Sequence, residues 1–275
     1  MTGLVLVTGG TGFVGSQVVR SLLDSGAQVR MLVRPNGSDG LGAGCGIESV
    51  RFSDDLFAES EDWWAEVFRD IDTVVHLAWY AEPGKYLSSE LNFHCLSGTL
   101  RMAKGAIRAG VRRFVGVGTC FEYDTAPGYL SVDTPLLPRT PYASCKAASY
   151  LSLSSWFALM GVEFLWCRLF YLYGEGEDSR RFVPYLRGRL ESGQPADLTS
   201  GNQIRDYLDV VVAGQMIAEQ VLAGQQGAVN ICSGVPVTIR QLALQIGEEY
   251  GRVDLLRFGA RPDNEYDPPC IVGVK

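Results

Sequence analysis

The chain has 275 residues, 47% hydrophobic and 20% charged, which suits one large α/β domain or one domain with a smaller lobe. A net charge of −7 argues against a general nucleic-acid or anionic-membrane partner, while 20 Arg against 4 Lys leave room for local anion sites. Seven cysteines without a C-x-x-C pair, and only two histidines, disfavour a disulfide framework and a metal site and favour a reduced, cytoplasmic setting. No apolar run is long enough to span a bilayer, and no basic leader precedes the first strand.

Strand-like runs are predicted at 4–8, 28–33, 49–52, 73–78, 113–117, 163–170 and 228–232. Helical patterns fall between them, at about 13–25, 61–69, 86–109, 142–160, 210–223 and 238–250. Several of the strands are continuously apolar, as in a sheet covered on both faces. The alternation predicts a Rossmann-like, doubly wound parallel sheet. After about Phe170 the alternation weakens, so residues 1–170, with a return at about 203–232, form the expected dinucleotide domain. Residues 171–202 and 233–275 form the expected smaller substrate-binding lobe, trimmed at its end if the chain follows the common pattern.

The first strand runs into "TGGTGFVG", which sets Gly9, Gly12 and Gly15 at the opening of a helix. Gly9 suits a tight turn, Gly12 close approach of a pyrophosphate, and Gly15 tight packing of helix on strand. Thr11, Phe13 and Val14 complete this turn, whose helix N-terminus offers free N–H groups to phosphate. The second strand ends in "MLVRP", so Arg34 stands where an NAD-binding carboxylate is expected. A guanidinium suits a 2′-phosphate, so NADP is preferred, with NAD the alternative.

"PYASCKAAS" sets Tyr142 four residues before Lys146 on one helix face. Such an ammonium would lower the phenol pKa and let Tyr142 exchange protons near neutrality. Chance supplies only about 0.17 such Y-x-x-x-K pairs in this composition, and here the pair follows the fifth strand.

Spacing and order together resemble the short-chain dehydrogenase/reductase superfamily in its extended branch, the NAD(P)-dependent nucleotide-sugar epimerases, dehydratases and reductases. The resemblance implies catalytic Thr119, Tyr142 and Lys146, with Lys146 also on the nicotinamide ribose. It implies adenine contacts from Asp55 and Leu56, with Asp54 as a register alternative. It implies Leu77 and Ala78 beside the cofactor. Trp79, Tyr80 and Tyr86 could line the sugar site, and His76 reads as a packed residue.

Within "GTCFEYD", Thr119 stands four before Tyr123, as in this branch. Dehydratases of the branch carry Asp and Glu directly after the Thr; Cys120 and Phe121 stand there instead. Glu122 comes one place late, and Cys120 reads as an inert thiol, with an acid role in epimerisation as its alternative. "RLFYLYGEGED", "QIRDYLDV" and "ARPDN" are similar to the branch's substrate segments. They imply Tyr171, Arg205 and Arg261 on the substrate, or Arg205 in an ion pair with Asp206 or Asp209. Tyr171 replaces the Asn usual in the first of these segments, and Cys95 in "CLSGT" replaces the Asn usual in a helix motif of the branch. The resemblance therefore implies an NADP-dependent reductase of a nucleotide-linked 4-keto-6-deoxysugar, with a 4-epimerase as the alternative. A cofactor-binding sensor and a non-sugar ketoreductase rank lower. A homodimer through a four-helix bundle built on 86–109 and 142–160 is also implied.

Overall fold

A computed structural model describes residues 3–35, 46–264 and 267–275. The larger unit contains β1 (Leu4–Thr8), α1 (Phe13–Asp24), β2 (Val29–Val33), β3 (Ile47–Phe52), α2 (Glu61–Val67), β4 (Ile71–His76), α3 (Leu91–Ala109) and β5 (Arg113–Thr119). A 3₁₀ turn at Cys120–Glu122, β6 (Tyr129–Leu130), α4 (Pro141–Met160), β7 (Glu163–Leu169) and β8 (Tyr171–Tyr173) follow. Then come α5 (Phe182–Glu191), β9 (Ala196–Leu198), β10 (Ile204–Asp209), α6 (Val210–Leu222), β11 (Gly227–Ile231), β12 (Pro236–Thr238) and α7 (Ile239–Glu249). A 3₁₀ turn at Val253–Leu255, β13 (Leu256–Phe258) and β14 (Cys270–Gly273) complete the order.

Seven strands form one parallel sheet in the order β11-β7-β5-β4-β1-β2-β3. The chain winds outward from β1 through β3, then restarts at β4 on the other side. Strand order reverses between β1 and β4, and a crevice opens outside their carboxyl ends. Two apolar clusters cover the sheet. One gathers Val5, Val7, Val18, Leu22 and Val29 with Ile217 of α6, and the other gathers Leu6, Trp64, Phe68, Phe114, Phe157 and Trp166. Burial on both faces explains why these strands read as unbroken apolar runs.

The small lobe is a sheet ordered β12-β10-β14-β6, with β8 also pairing β10, plus the two-stranded β13-β9 unit. Leu186 and Leu190 of α5 pack with Ala243 and Ile246 of α7 to make its separate core.

Three expectations are corrected. β10 lies in the returning segment 203–232 yet pairs with β8, β12 and β14, so the chain returns to the large unit at α6 and to its sheet only at β11. The helix expected from 86 begins at Leu91, because Asn92 Nδ2 donates to the carbonyls of Tyr86 and Ser89 and holds the approach in turns. The strand expected at 73–78 spans Ile71–His76; Leu77 leaves the sheet while its N–H donates to the Thr8 carbonyl.

Candidate active site

The crevice is a cleft of about 1200 Å³, larger than a typical small-ligand pocket, running from the β2 end across β1 and β4 to the small lobe. At its centre, Gly9 has φ +72°, and a Cβ there would lie 2.6 Å from the Ala78 nitrogen. A Cβ on Gly15 would lie 2.0 Å from the Gly9 carbonyl oxygen, so α1 seats against the turn only with glycine there. No side chain caps the first turn of α1, and no acidic residue lies in it, which leaves its N–H groups for a ligand. This glycine cradle fits a dinucleotide pyrophosphate.

On one side of the cradle Arg34 follows β2, exposed and lining the cleft together with Asp54, Asp55 and Leu56 after β3. His94 Nε2 contacts Asp55 Oδ2 at 2.7 Å, and Asp55 Oδ1 accepts from the Phe57 N–H. On the other side Leu77, Ala78, Trp79 and Tyr80 leave β4 along the cleft and lead to Thr119, Tyr142 and Lys146. His76 lies beneath this wall, buried between the hydroxyls of Thr8 (2.8 Å) and Thr99 (3.0 Å). Desolvation depresses it to about 3, with the Lys146 charge adding to the effect, so it is a neutral, packed imidazole.

β5 delivers Thr119, and α4 delivers Tyr142 and Lys146 from its first two turns. Thr140 caps α4 by accepting from the Ala143 N–H, with Pro141 at the first helical position, so the active face is fixed at a well-made helix start. Tyr142 is half-buried, edge-on to Tyr86 with ring centroids 4.8 Å apart.

The expected lowering of the Tyr142 pKa does not appear. Desolvation of the phenol pushes it well above its ordinary value, Tyr86 and Glu122 push the same way, and the Thr119 hydroxyl opposes them. The physical reason is burial of the phenol itself. Lys146 Nζ donates to the Val117 carbonyl at 2.5 Å and stands 4.0 Å over the Trp79 ring. Burial lowers Lys146 to about 8, and Glu122 holds it up against that fall.

Cys120 is buried and its thiol is pushed up to about 12 by desolvation, which leaves it protonated and inert. Phe121 lines the cleft edge-on to Tyr171, with ring centroids 6.1 Å apart. β5 ends at Thr119 and the chain tightens into a 3₁₀ turn, so Glu122 is not on a strand at all. It folds back beneath Thr119, whose N–H it accepts.

Two expected substrate arginines lie outside this cleft. Arg205 is buried in the small lobe, donates to the Ile204 carbonyl and pairs with Asp267 at 2.7 Å rather than with Asp206 or Asp209. Arg261 is exposed and donates to Tyr185 Oη at 3.1 Å. The cationic residues that do line this end of the cleft are Arg180 and Arg181, with Glu177 and Tyr207. Burial pushes the Glu177 carboxyl to about 7. The one sequence signal for this cluster is the double Arg that follows the acidic "GEGED" after a single Ser.

A family model matches residues 5–232, described as the NAD dependent epimerase/dehydratase family. The chain belongs to this family. It is an enzyme of the extended short-chain dehydrogenase type. It is 25% identical, over 98% of its length and 99% of the relative's, to a dTDP-6-deoxy-L-talose 4-dehydrogenase (NAD(+)) of Aggregatibacter actinomycetemcomitans. It is 28% identical, over 90% of its length and 77% of the relative's, to a dTDP-glucose 4,6-dehydratase of Streptomyces niveus. Among solved structures it resembles the Thermus thermophilus UDP-glucose 4-epimerase in complex with NAD. There the TM-score is 0.81 at 25% identity, covering 98% of this chain and 90% of that one. The Streptomyces venezuelae dTDP-glucose 4,6-dehydratase shares the fold, with a TM-score of 0.83 at 24% identity over 98% of this chain and 88% of that one. Among the described residues no group of His, Cys, Asp and Glu could hold a metal, and no helix is long and apolar enough to cross a membrane.

Proposed function

We propose that this enzyme reduces the 4-keto group of a nucleotide-linked 6-deoxysugar with NADPH. The observation that carries the reading is the corner around Thr119. A hydroxyl, a phenol and an ammonium group converge on the cleft, while a desolvated thiol and a phenyl ring occupy the two places where a dehydratase needs an acid and a base. The full-length likeness to a 4-dehydrogenase, whose reaction reversed is a 4-keto reduction, supports it.

A bound nicotinamide would supply the hydride that C4 receives. Tyr142 Oη donates the proton to the C4 oxygen, and the desolvation that raises its pKa keeps it protonated at neutral pH, as the reductive direction requires. The Thr119 hydroxyl donates a hydrogen bond to the same oxygen. Lys146, still mostly cationic at pH 7 with its pKa near 8, supplies the charge that favours the phenolate left behind. Gly9–Gly15 would hold the pyrophosphate, and Asp55 the adenine. Arg34 supports a 2′-phosphate, although the talose relative's own name specifies NAD(+). Arg180 and Arg181, at the uncapped start of α5, are the candidate contacts for the substrate diphosphate.

The test is NADPH oxidation with a dTDP-linked 4-keto-6-deoxysugar. Tyr142→Phe should lose at least about 100-fold in kcat while still binding dinucleotide; unchanged turnover removes Tyr142 from the mechanism. A 4-epimerase is the second reading, favoured by the same three residues and by the Thermus epimerase likeness. It requires tightly retained NAD(H) and no net cofactor consumption. Retention of both Tyr142 and Lys146 speaks against a sensor that has lost its chemistry.

We also propose a homodimer. α4 exposes Leu151 (56%), Leu159 (81%) and Met160 (51%) among serines, and Phe93 (59%) stands exposed on neighbouring α3, which leaves apolar surface uncovered on that pair of helices. Light scattering at the monomer mass would refute it.

A further inference from the structure

Glu122 is the residue that the reductase reading leaves without a task. It is 0% exposed and does not line the cleft, yet it stands three residues after Thr119. Its Oε1 accepts from the Thr119 N–H at 2.8 Å, both its oxygens lie 3.1 Å from Trp166 Nε1, and its Oε2 accepts from Arg168 Nε at 2.7 Å. Arg168, 1% exposed, is anchored in turn: its Nη1 donates to Tyr123 Oη at 3.0 Å, and Tyr123 Oη donates to Asn230 Oδ1 at 2.8 Å. The carboxylate is therefore rigid. Gly118 makes room for it, since a Cβ there would lie 2.2 Å from Glu122 Oε1.

A fully buried ion pair is poor value as a source of stability, because desolvating both charges offsets their attraction and an apolar pair of the same volume often folds as well. This one touches the backbone of a catalytic residue, and the Trp166 ring that it holds lies with its centroid 5.9 Å from Lys146 Nζ. The groups facing Lys146 are His76 from β4, Cys95 from α3, the Trp79 ring and Glu122. Those facing Tyr142 are Tyr86, Thr119, Cys120 and Glu122. His76 and the two thiols are neutral near pH 7, so the one acidic carboxyl in this set is Glu122, raised by burial and drawn toward its charged form by Arg168.

We propose that Glu122 is a positioning residue for the ketone-reducing step: clamped by Arg168 and Trp166, it fixes the Thr119 amide so that the hydroxyl faces the oxygen Tyr142 protonates, and it keeps Lys146 an ammonium ion. The role rests on the reductase reading for the step it serves. Its two parts separate by substitution. Glu122→Gln keeps the length and an acceptor for the Thr119 N–H but removes the charge. Glu122→Asp keeps the charge but is one methylene short of that N–H.

Lys146 can be watched directly, because the chain has only four lysines. With ¹³Cε-labelled lysine, the Lys146 resonance is assigned by its loss in Lys146→Met and titrated by NMR in each variant. In Glu122→Gln the Lys146 midpoint should fall from about 8 by about one pH unit, with kcat down at least about tenfold and KM within about twofold. In Glu122→Asp the midpoint should hold while kcat still falls about tenfold. A Lys146 midpoint unmoved in Glu122→Gln, or kcat unmoved in both variants, overturns the proposal. If Glu122→Gln does not fold because Arg168 is left unpaired, the double variant Glu122→Gln/Arg168→Met carries the same readouts. Should the wild-type chain reduce no ketosugar, the reductase reading fails, and the NMR midpoint still decides whether Glu122 governs Lys146.

Discussion

The two walls of the cleft are built in different ways. The wall with the glycine cradle is local: Thr8 to Gly15 are consecutive, and the strands beneath them are five to seven residues long. The opposite wall, to which the proposed substrate contacts belong, is assembled from Tyr171, the 176–182 stretch and Tyr207, carried by β8, a loop with the start of α5, and β10. These are held by pairings of two or three residues with partners far along the chain. A local wall tolerates little change at a few glycines. A composite wall depends on anchors that never touch the ligand, and in it a cation's place in a motif does not tell whether it binds or braces.

The largest test of that contrast is Gly15→Val. Its side chain would strike the Gly9 carbonyl, so the substitution should cost about 3 kcal/mol in chemical unfolding and abolish dinucleotide binding by calorimetry. A binding-competent, stable variant would show that the cradle is not rigid. Across the cleft, two arginines should behave oppositely. Arg205→Met breaks a pair that is only half shielded at Asp267 and should cost about 1–2 kcal/mol of stability with KM near the wild-type value. Arg181→Ala should leave stability intact and raise KM for the nucleotide sugar about tenfold. An exchange of these outcomes would return Arg205 to the substrate. Next, Arg34→Glu should lower the kcat/KM preference for NADPH over NADH by at least about tenfold, since a carboxylate repels a 2′-phosphate. An unchanged ratio would reduce Arg34 to a solvated loop residue.

The smallest effect concerns Glu177. Its folded value near 7 lies above the value of about 4.3 in an open chain, so between these limits the folded state holds the proton more firmly. Stability is therefore present at the acid end and falls as pH rises toward 7. Because the residue is half-exposed, Glu177→Gln should flatten the thermal midpoint against pH by only about 1–2 °C, readable by differential scanning fluorimetry.

Legibility followed the same division. The seven strands of the large sheet and the helices beside them were readable because burial on both faces writes unbroken apolar runs, and because caps such as Thr140-Pro141 mark helix starts. The glycine turn and the Tyr142–Lys146 pair were readable because their spacing is their geometry. The small lobe was not. Strands such as β8, β9, β12 and β13 are three residues long and take their stability from distant partners, so they leave no periodicity. α5 was hidden by Pro184 and Gly188 within it. The resemblance set Arg205 on the substrate, or in an ion pair with a near neighbour, whereas its partner Asp267 lies 62 residues away in the chain and no local pattern announces it. Glu122 was read only as standing one place late, because nothing in the sequence announces the 3₁₀ turn that folds it back beneath Thr119.

One feature of the catalytic corner also has an optical side. Lys146 rests its charge on the face of Trp79, whose Nε1 is tied to Asn92 Oδ1 at 2.8 Å and so cannot follow the lysine when it moves. An indole with a cation on its face emits differently from one without, and Trp79 is one of only five tryptophans. Should a ligand draw Lys146 off the ring, the emission of Trp79 is expected to change, and Trp79→Phe to remove that signal.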